Sequence, residues 1–190
     1  MTKSPVAKKL TDFLLVSLIV FSLLAVIYFG GVSILKTLYP RRYIDFVEKH
    51  SQTNNLSEEF VFAVIECESG FDKDAVSYLG ARGLMQIMPE TFLWLQEKRG
   101  EKLSDDSIFT PEVAIDYGCY FYGMLISQFE NEATAVAAYH AGAAQVEAWL
   151  SDKNYSDDGK TLKDIPYPST KKYVDKVMRV KNIYKKLYYK

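Results

Sequence analysis

Residues 66–91, ECESGFDKDAVSYLGARGLMQIMPET, decide how the rest of the chain is read. The stretch mixes acids, glycines, methionines and one glutamine flanked by apolar residues, with neither a period of 2 nor one of 3.6. It is therefore neither a core strand nor a core helix. Just before it, NNLSEEFVFAVIECESG (54–70) reads as a helix: Ser57 is placed to cap it, Glu58 and Glu59 fill its first turn, and Gly70 stops it. Glu68 falls in the last turn of that helix. Ile65, Val64 and Val61 lie three, four and seven residues before it, so its carboxyl shares an apolar face. Desolvation and the negative end of the helix dipole both disfavour the carboxylate. A raised pKa is what a general acid working near neutral pH needs. The plainer reading makes Glu68 a surface residue at a frayed helix end. Glu66, about 200° away around the helix, faces elsewhere.

The loop that follows turns at Gly80 and Gly83, on either side of Ala81-Arg82. Met88 precedes Pro89 and is expected to be extended; Pro89 then opens a helix, PETFLWLQEK. This leaves Gln86 in a short non-helical segment. Its amide either reads a neutral group on a ligand or ties down the loop backbone, and both readings stand. A third unusual place is AVAAYHAGAAQVEAW (135–149), where Tyr139 and His140 present polar tips just before a glycine turn. A lone histidine is more often structural than catalytic. His50 and His140 make no zinc site without several carboxylates, and no serine- or cysteine-centred nucleophile motif is present.

The chain has 190 residues, 48% hydrophobic and 25% charged, which bounds it to about one domain with additions. Its 14 Tyr and 11 Phe exclude a disordered chain. A net charge of −1 gives no global field for nucleic acid. Residues 161–190 are nonetheless basic, with nine Lys or Arg against two Asp. Cys67 and Cys119 are not spaced as metal ligands; they form a disulfide if the domain is extracytoplasmic, or remain buried thiols.

Residues 13–35 carry no charge and, at about 1.5 Å per residue, reach roughly 35 Å, enough to cross a bilayer. Lys3, Lys8 and Lys9 on one side balance Lys36, Arg41 and Arg42 on the other, so charge does not fix the orientation. The run is long for a signal peptide, and no A-x-A site follows it, which favours an uncleaved anchor. The expected organisation is a short cytoplasmic N-terminus at 1–12, a transmembrane anchor at 13–35, a linker and start of the first helix at 36–47, and one compact, mainly α domain at 48–190. Further helices are expected in TPEVAIDYGCYFYGMLISQF, with Thr110 as cap and Pro111 at the first helical position, in EATAVAAYHAG, in AAQVEAWL, and in the basic STKKYVDKVMRVKNIYKKLYY. Between the last two lies the polar loop SDKNYSDDGKTLKDIPYP.

Three of these stretches together resemble a known family. ESGFDKDAVSYLGARGLMQIMPET is similar to the signature of the lytic transglycosylase SLT domain, a relative of goose-type lysozyme. AVAAYHAGAAQVEAWL is similar to its second motif, usually A-A-Y-N-A-G followed by V and W, and IPYPSTKKYVDKV to its third, usually P-F-x-E-T-x-x-Y-V. They occur in the family's order within roughly residues 40–190. An anchor followed by a short SLT domain most resembles the small membrane-bound forms of Gram-positive bacteria.

The resemblance implies a lysozyme-like α+β fold and non-hydrolytic cleavage of peptidoglycan between N-acetylmuramic acid and N-acetylglucosamine, giving 1,6-anhydromuramoyl ends. It implies Glu68 as the single catalytic acid/base, with no metal or cofactor. Ser77, Gln86 and Met88 fall on positions that line the saccharide groove, and Tyr139 on the tyrosine near the catalytic glutamate. Three departures stand out: His140 replaces the usual Asn, Ser169 the usual Glu of the third motif, and Glu66-Cys67 a basic and Gln-containing pair. His140 and Ser169 thereby bear on substrate positioning. Two alternatives remain. A hydrolytic muramidase would need a second carboxylate across the cleft, for which Asp72 and Asp74 have no arguable role. A weakened, glycan-binding scaffold is the other. The implied partners are glycan strands, the membrane through the N-terminal helix, and cell-wall or secretion machinery. The implied location is the cell membrane, single-pass, with the catalytic domain extracytoplasmic. The basic last helix is either a solvated face or a surface turned toward anionic lipid or wall polymer.

Overall fold

A computed structural model of the chain describes residues 5–189; residues 1–4, which hold Lys3 and begin the expected cytoplasmic segment, lie outside the described residues. The chain divides into two compact units between Pro40 and Arg41. The first is a single helix, α1 (Pro5–Leu38). Its segment Phe13–Leu38 has a mean hydropathy of 2.6 and none of it is buried, so by length and composition it can cross a membrane. The helix runs past the expected 13–35 on both sides, because nothing at its ends breaks the helical pattern before Leu38. Residues 39–43 lie between α1 and α2, which starts at Ile44 within the span 36–47 where a linker and the start of a helix are expected.

The second unit is mainly α. It comprises α2 (Ile44–Thr53), α3 (Glu58–Glu68), α4 (Pro89–Arg99), a 3-10 turn (Asp105–Phe109), α5 (Pro111–Phe129), α6 (Glu132–Ala141), α7 (Ala143–Ser151) and α8 (Pro168–Tyr188). No strand forms among the described residues, and β pairing is limited to isolated bridges of Arg82 with Val76 and Ile87. The helix α3 is central: every residue from Phe60 to Ile65 is fully inaccessible. A helix apolar all round belongs inside a domain.

α8 runs antiparallel beside α3. At one end the Tyr189 hydroxyl donates to Glu58 Oε2 at 2.7 Å; midway Phe62 and Tyr184 stack at 5.6 Å; at the other end Tyr173 reaches Glu68. Thr170, Val174, Val177, Val180 and Tyr184 form the buried stripe of α8, while Lys171, Lys172, Lys176, Arg179, Lys185 and Lys186 are exposed. This matches the helical spacing of apolar residues on an amphipathic helix.

The termini show where local chemistry acts. Pro89, Pro111 and Pro168 each sit in the first turn of a helix. Ser57 occupies the N-cap position of α3 with extended backbone, yet its hydroxyl makes no cap bond and is buried without a partner among the described residues. Its carbonyl alone serves, accepting from Phe60 and Val61. Thr110 likewise makes no side-chain cap bond; among the described residues the one side-chain cap is Asn131, whose Oδ1 accepts from Thr134 N at 2.9 Å at the start of α6. Both cysteines are free thiols, Cys119 buried on α5 and Cys67 half-buried on α3, so the disulfide reading gives way to the thiol reading. Arg99 ties α4 to α5 through two bonds to Asp116, at 2.8 and 3.2 Å.

Candidate active site

Glu68 is the last residue of α3. Six buried residues, Phe60 to Ile65, precede it on the helix, and its own carboxyl is half-buried. Burial pushes its pKa up to about 7; the hydrogen bond from Tyr173 and the charge of Lys176 pull the other way but do not cancel it. The carboxyl is thus poised to hold or release a proton near neutrality. No carboxylate is among the groups that set this balance.

The helix end is pinned from both sides. Ser69 Oγ donates to Leu84 O at 2.8 Å, fastening α3 to the loop that follows, and Lys176 Nζ donates to Cys67 O at 2.9 Å from α8. Tyr173 donates its hydroxyl to Glu68 Oε1. The hydroxyls of Tyr173 and Tyr122 lie 3.2 Å apart, and Tyr122 on α5 stacks on Tyr139 of α6 at 4.2 Å with ring planes 7° apart. Burial holds all three phenols well above their ordinary pKa, so they remain protonated donors wherever Glu68 titrates.

The loop 70–88 is built on positive-φ residues. Gly70, Gly80 and Gly83 are joined there by Phe71 and Gln86. Gln86 Nε2 donates to Ala75 O at 3.1 Å and to Gly83 O at 3.0 Å, so its amide nitrogen ties down the loop, while Oε1 has no partner among the described residues. Ser77 Oγ accepts from Ala81 N at 3.0 Å and closes the turn. Met88 is extended (φ −67°, ψ 142°), as its place before Pro89 dictates. Tyr139 donates to Met85 O at 2.7 Å, which locks α6 against this loop. Met85 is wholly buried, so removal of the phenol hydroxyl leaves that carbonyl unsatisfied. Tyr139→Phe is therefore expected to lower stability by about 1–2 kcal/mol in denaturant unfolding.

The structure gathers Glu68 and His140 around Tyr173, with Tyr139 joined to them through Tyr122. His140 is exposed, stacks on the Tyr173 ring at 4.7 Å, and places Nδ1 3.1 Å from Thr170 Oγ1. Ser77, Gln86 and Met88 stay outside the hydrogen-bond network of Glu68 and belong to the loop that Tyr139 holds. Ser169 is exposed at the start of α8. Sequence reasoning missed Tyr173, Tyr122 and Lys176 as neighbours of the acid. Tyr173 stands within the quoted third stretch, three residues after Thr170 and thus on its face of α8; its partner Glu68 is far away in sequence.

The site is one desolvated acid among protonated phenols in a helical domain. Residues 45–162 match the family model of the Transglycosylase SLT domain, and the chain belongs to that family. The soluble lytic murein transglycosylase of Salmonella typhimurium is 29% identical over 152 residues, covering 76% of this chain and 23% of that protein. The membrane-bound lytic murein transglycosylase C of Actinobacillus succinogenes is 28% identical over 123 residues, covering 59% of this chain and 34% of the relative. Among solved structures, an inactive glutamate-to-glutamine mutant of the lytic transglycosylase Slt of Pseudomonas aeruginosa superposes with a TM-score of 0.71 and 31% identity over 80% of this chain and 25% of that one. The chain thus spans about a quarter of the length of the soluble relatives it matches.

Proposed function

We propose that this chain is a membrane-anchored peptidoglycan lytic transglycosylase in which Glu68 is the acid and then the base of a non-hydrolytic cleavage. The observation that carries the reading is the Glu68 carboxyl itself, half-buried, held near neutrality, and bonded by Tyr173 in a chain of the SLT family. Protonated Glu68 donates to the glycosidic oxygen between N-acetylmuramic acid and N-acetylglucosamine. The 2-acetamido group of the substrate stabilises the oxocarbenium-like centre from the far side, so no second protein carboxylate is required. Glu68, now ionised and accepting from Tyr173, takes the proton of the muramoyl C6 hydroxyl. That oxygen closes on C1 and gives the 1,6-anhydro end. The attacking hydroxyl is already part of the substrate, which gives it the advantage over water of an intramolecular group.

Gln86 Oε1, the Ser77 hydroxyl, Met88, Tyr139 and His140 supply the groove around the glycan in this reading, with no metal or cofactor. The α1 helix anchors the chain in a membrane with the domain on the side of the wall, and a membrane-bound relative supports such a form. Peptidoglycan digested by the full chain in H₂¹⁸O decides the reaction. Anhydro ends without ¹⁸O are expected. Reducing ends that carry ¹⁸O would make the chain a muramidase, and bound but uncut glycan would make it a scaffold.

A further inference from the structure

We infer that His140 is a positioning residue for the acid: its ring, lying on Tyr173, holds the phenol whose hydroxyl orients and stabilises the Glu68 carboxylate. The resemblance made His140 a groove residue that replaces an asparagine, and the structure gives it a second task. The imidazole is itself fixed. Nδ1 and the Thr170 hydroxyl are 3.1 Å apart, and Thr170 is 1% exposed, so this end of the ring has a rigid partner. The ring then stacks on Tyr173 at 4.7 Å with planes 28° apart. Tyr173 is thus held at its hydroxyl by Glu68 and Tyr122, and on its ring by His140.

An asparagine at this position could keep a hydrogen bond to Thr170 but has no ring to lay on a phenol. Stacked aromatic pairs contribute beyond the area they bury, and here the contact restrains a side chain whose polar tip must meet one carboxyl oxygen. Freed of the stack, Tyr173 samples more orientations and donates to Glu68 for a smaller fraction of the time. Its bond favours the ionised form, so the carboxyl then titrates at higher pH. Burial alone acts on His140 and lowers its pKa, so the ring is chiefly neutral where Glu68 titrates.

The groups that face Glu68 are Tyr122 from α5, Tyr139 from α6, Tyr173 and Lys176 from α8, and Cys67 on its own helix. Of these, Tyr173 is the one His140 touches.

The inference deepens the reading of Glu68 as the acid, but its first test does not depend on turnover. The full chain, ¹³C-labelled at glutamate side chains and held in detergent micelles, is titrated by NMR, with Glu68 assigned by its loss in Glu68→Gln. Tyr173→Phe is expected to raise the Glu68 midpoint by about half a pH unit or more. His140→Ala and His140→Asn should raise it in the same direction. His140→Phe, which keeps the ring but discards its bond to Thr170, should stay closer to the wild-type midpoint than His140→Ala does. His140→Ala added to Tyr173→Phe should produce no further rise.

Unchanged titration in His140→Ala, or a shift in His140→Phe equal to that in His140→Ala, would overturn the inference. So would full additivity with Tyr173→Phe, because residues acting through one another are not additive. Kinetics supply the second readout: His140→Ala should lower kcat about threefold to tenfold, and His140→Phe should recover part of that loss. A change in KM alone would leave His140 as a glycan contact and reject the positioning role. A wild-type chain without activity would count against the proposed function, while the titration would still decide the role of His140.

Discussion

Glu68→Gln is expected to slow glycan solubilisation by at least about a thousandfold and, in the same molecule, to stabilise the fold at alkaline pH. Glutamine matches the carboxyl in size and keeps an oxygen for Tyr173, so the site retains its shape. What disappears is the transferable proton. Loss of a positioned acid or base lowers rates by about 10²–10⁴, and Glu68 serves as both in turn. The relative from Pseudomonas aeruginosa is inactive with one glutamate changed to glutamine.

The gain in stability follows from the same burial. The Glu68 carboxyl has its pKa raised from 4.5 to about 7 on folding. Below pH 4.5 it is protonated in both folded and unfolded chains and carries no penalty. Between 4.5 and about 7 the folded chain binds more protons than the unfolded one, so stability falls as pH rises. Above 7 the penalty is complete, on the order of 2 kcal/mol for a half-buried group. Glu68→Gln removes it, and thermal unfolding at pH 8 should rise by about 4–8 °C. The two proteins should converge at pH 4. Equal stability at pH 8 would mean that the carboxyl is not desolvated.

Gly83→Ala is expected to cost about 3 kcal/mol or more. Gly83 has φ +72°, a conformation that L residues adopt with strain. The added Cβ would also lie 2.5 Å from the backbone oxygen of Ile108, which is 1% exposed and cannot swing aside as a side chain could. Gly83 N donates to Ala75 O, and Gly83 O accepts from both Gln86 N and Gln86 Nε2, so the displacement reaches the whole loop. Gly80→Ala is the control. Its φ of +90° carries the conformational strain, but nothing lies within 4 Å of the new Cβ. The expected cost there is about 1–2 kcal/mol. Urea unfolding of both variants checks the difference, and equal losses would show that the contact with Ile108 yields.

What the sequence discloses and what it conceals divide along the range of the interaction. The desolvation of Glu68 was legible because its apolar neighbours are one helical turn away in the same helix. The prolines at 89 and 111 were legible because their effect is on their own backbone. Gln86 was not resolved, since both of its readings require the same residue in the same loop, and only the carbonyls of Ala75 and Gly83 distinguish them.

Tyr173 stands on the tyrosine of the third motif, but nothing local tells which group its hydroxyl meets. Its importance comes from the antiparallel packing of α8 on α3, which brings it to a carboxyl 105 residues away. The Ser57 hydroxyl shows the converse, a residue of the right type in the right place that makes no cap bond. The resemblance pointed to an α+β fold. Here the β part is reduced to isolated bridges, because Phe71, Gly80, Gly83 and Gln86 all take positive φ and interrupt any extended run.

The most direct measurement of the central claim is the pH dependence of kcat/KM for glycan cleavage by the wild-type full chain, with Glu68→Gln beside it. A single desolvated acid at Glu68 predicts a rate that follows the protonated carboxyl and falls tenfold per pH unit above about 7, with Glu68→Gln inactive throughout. A rate that holds level or climbs through pH 9, or a mutant that retains substantial activity, would contradict the assignment of Glu68 as the acid.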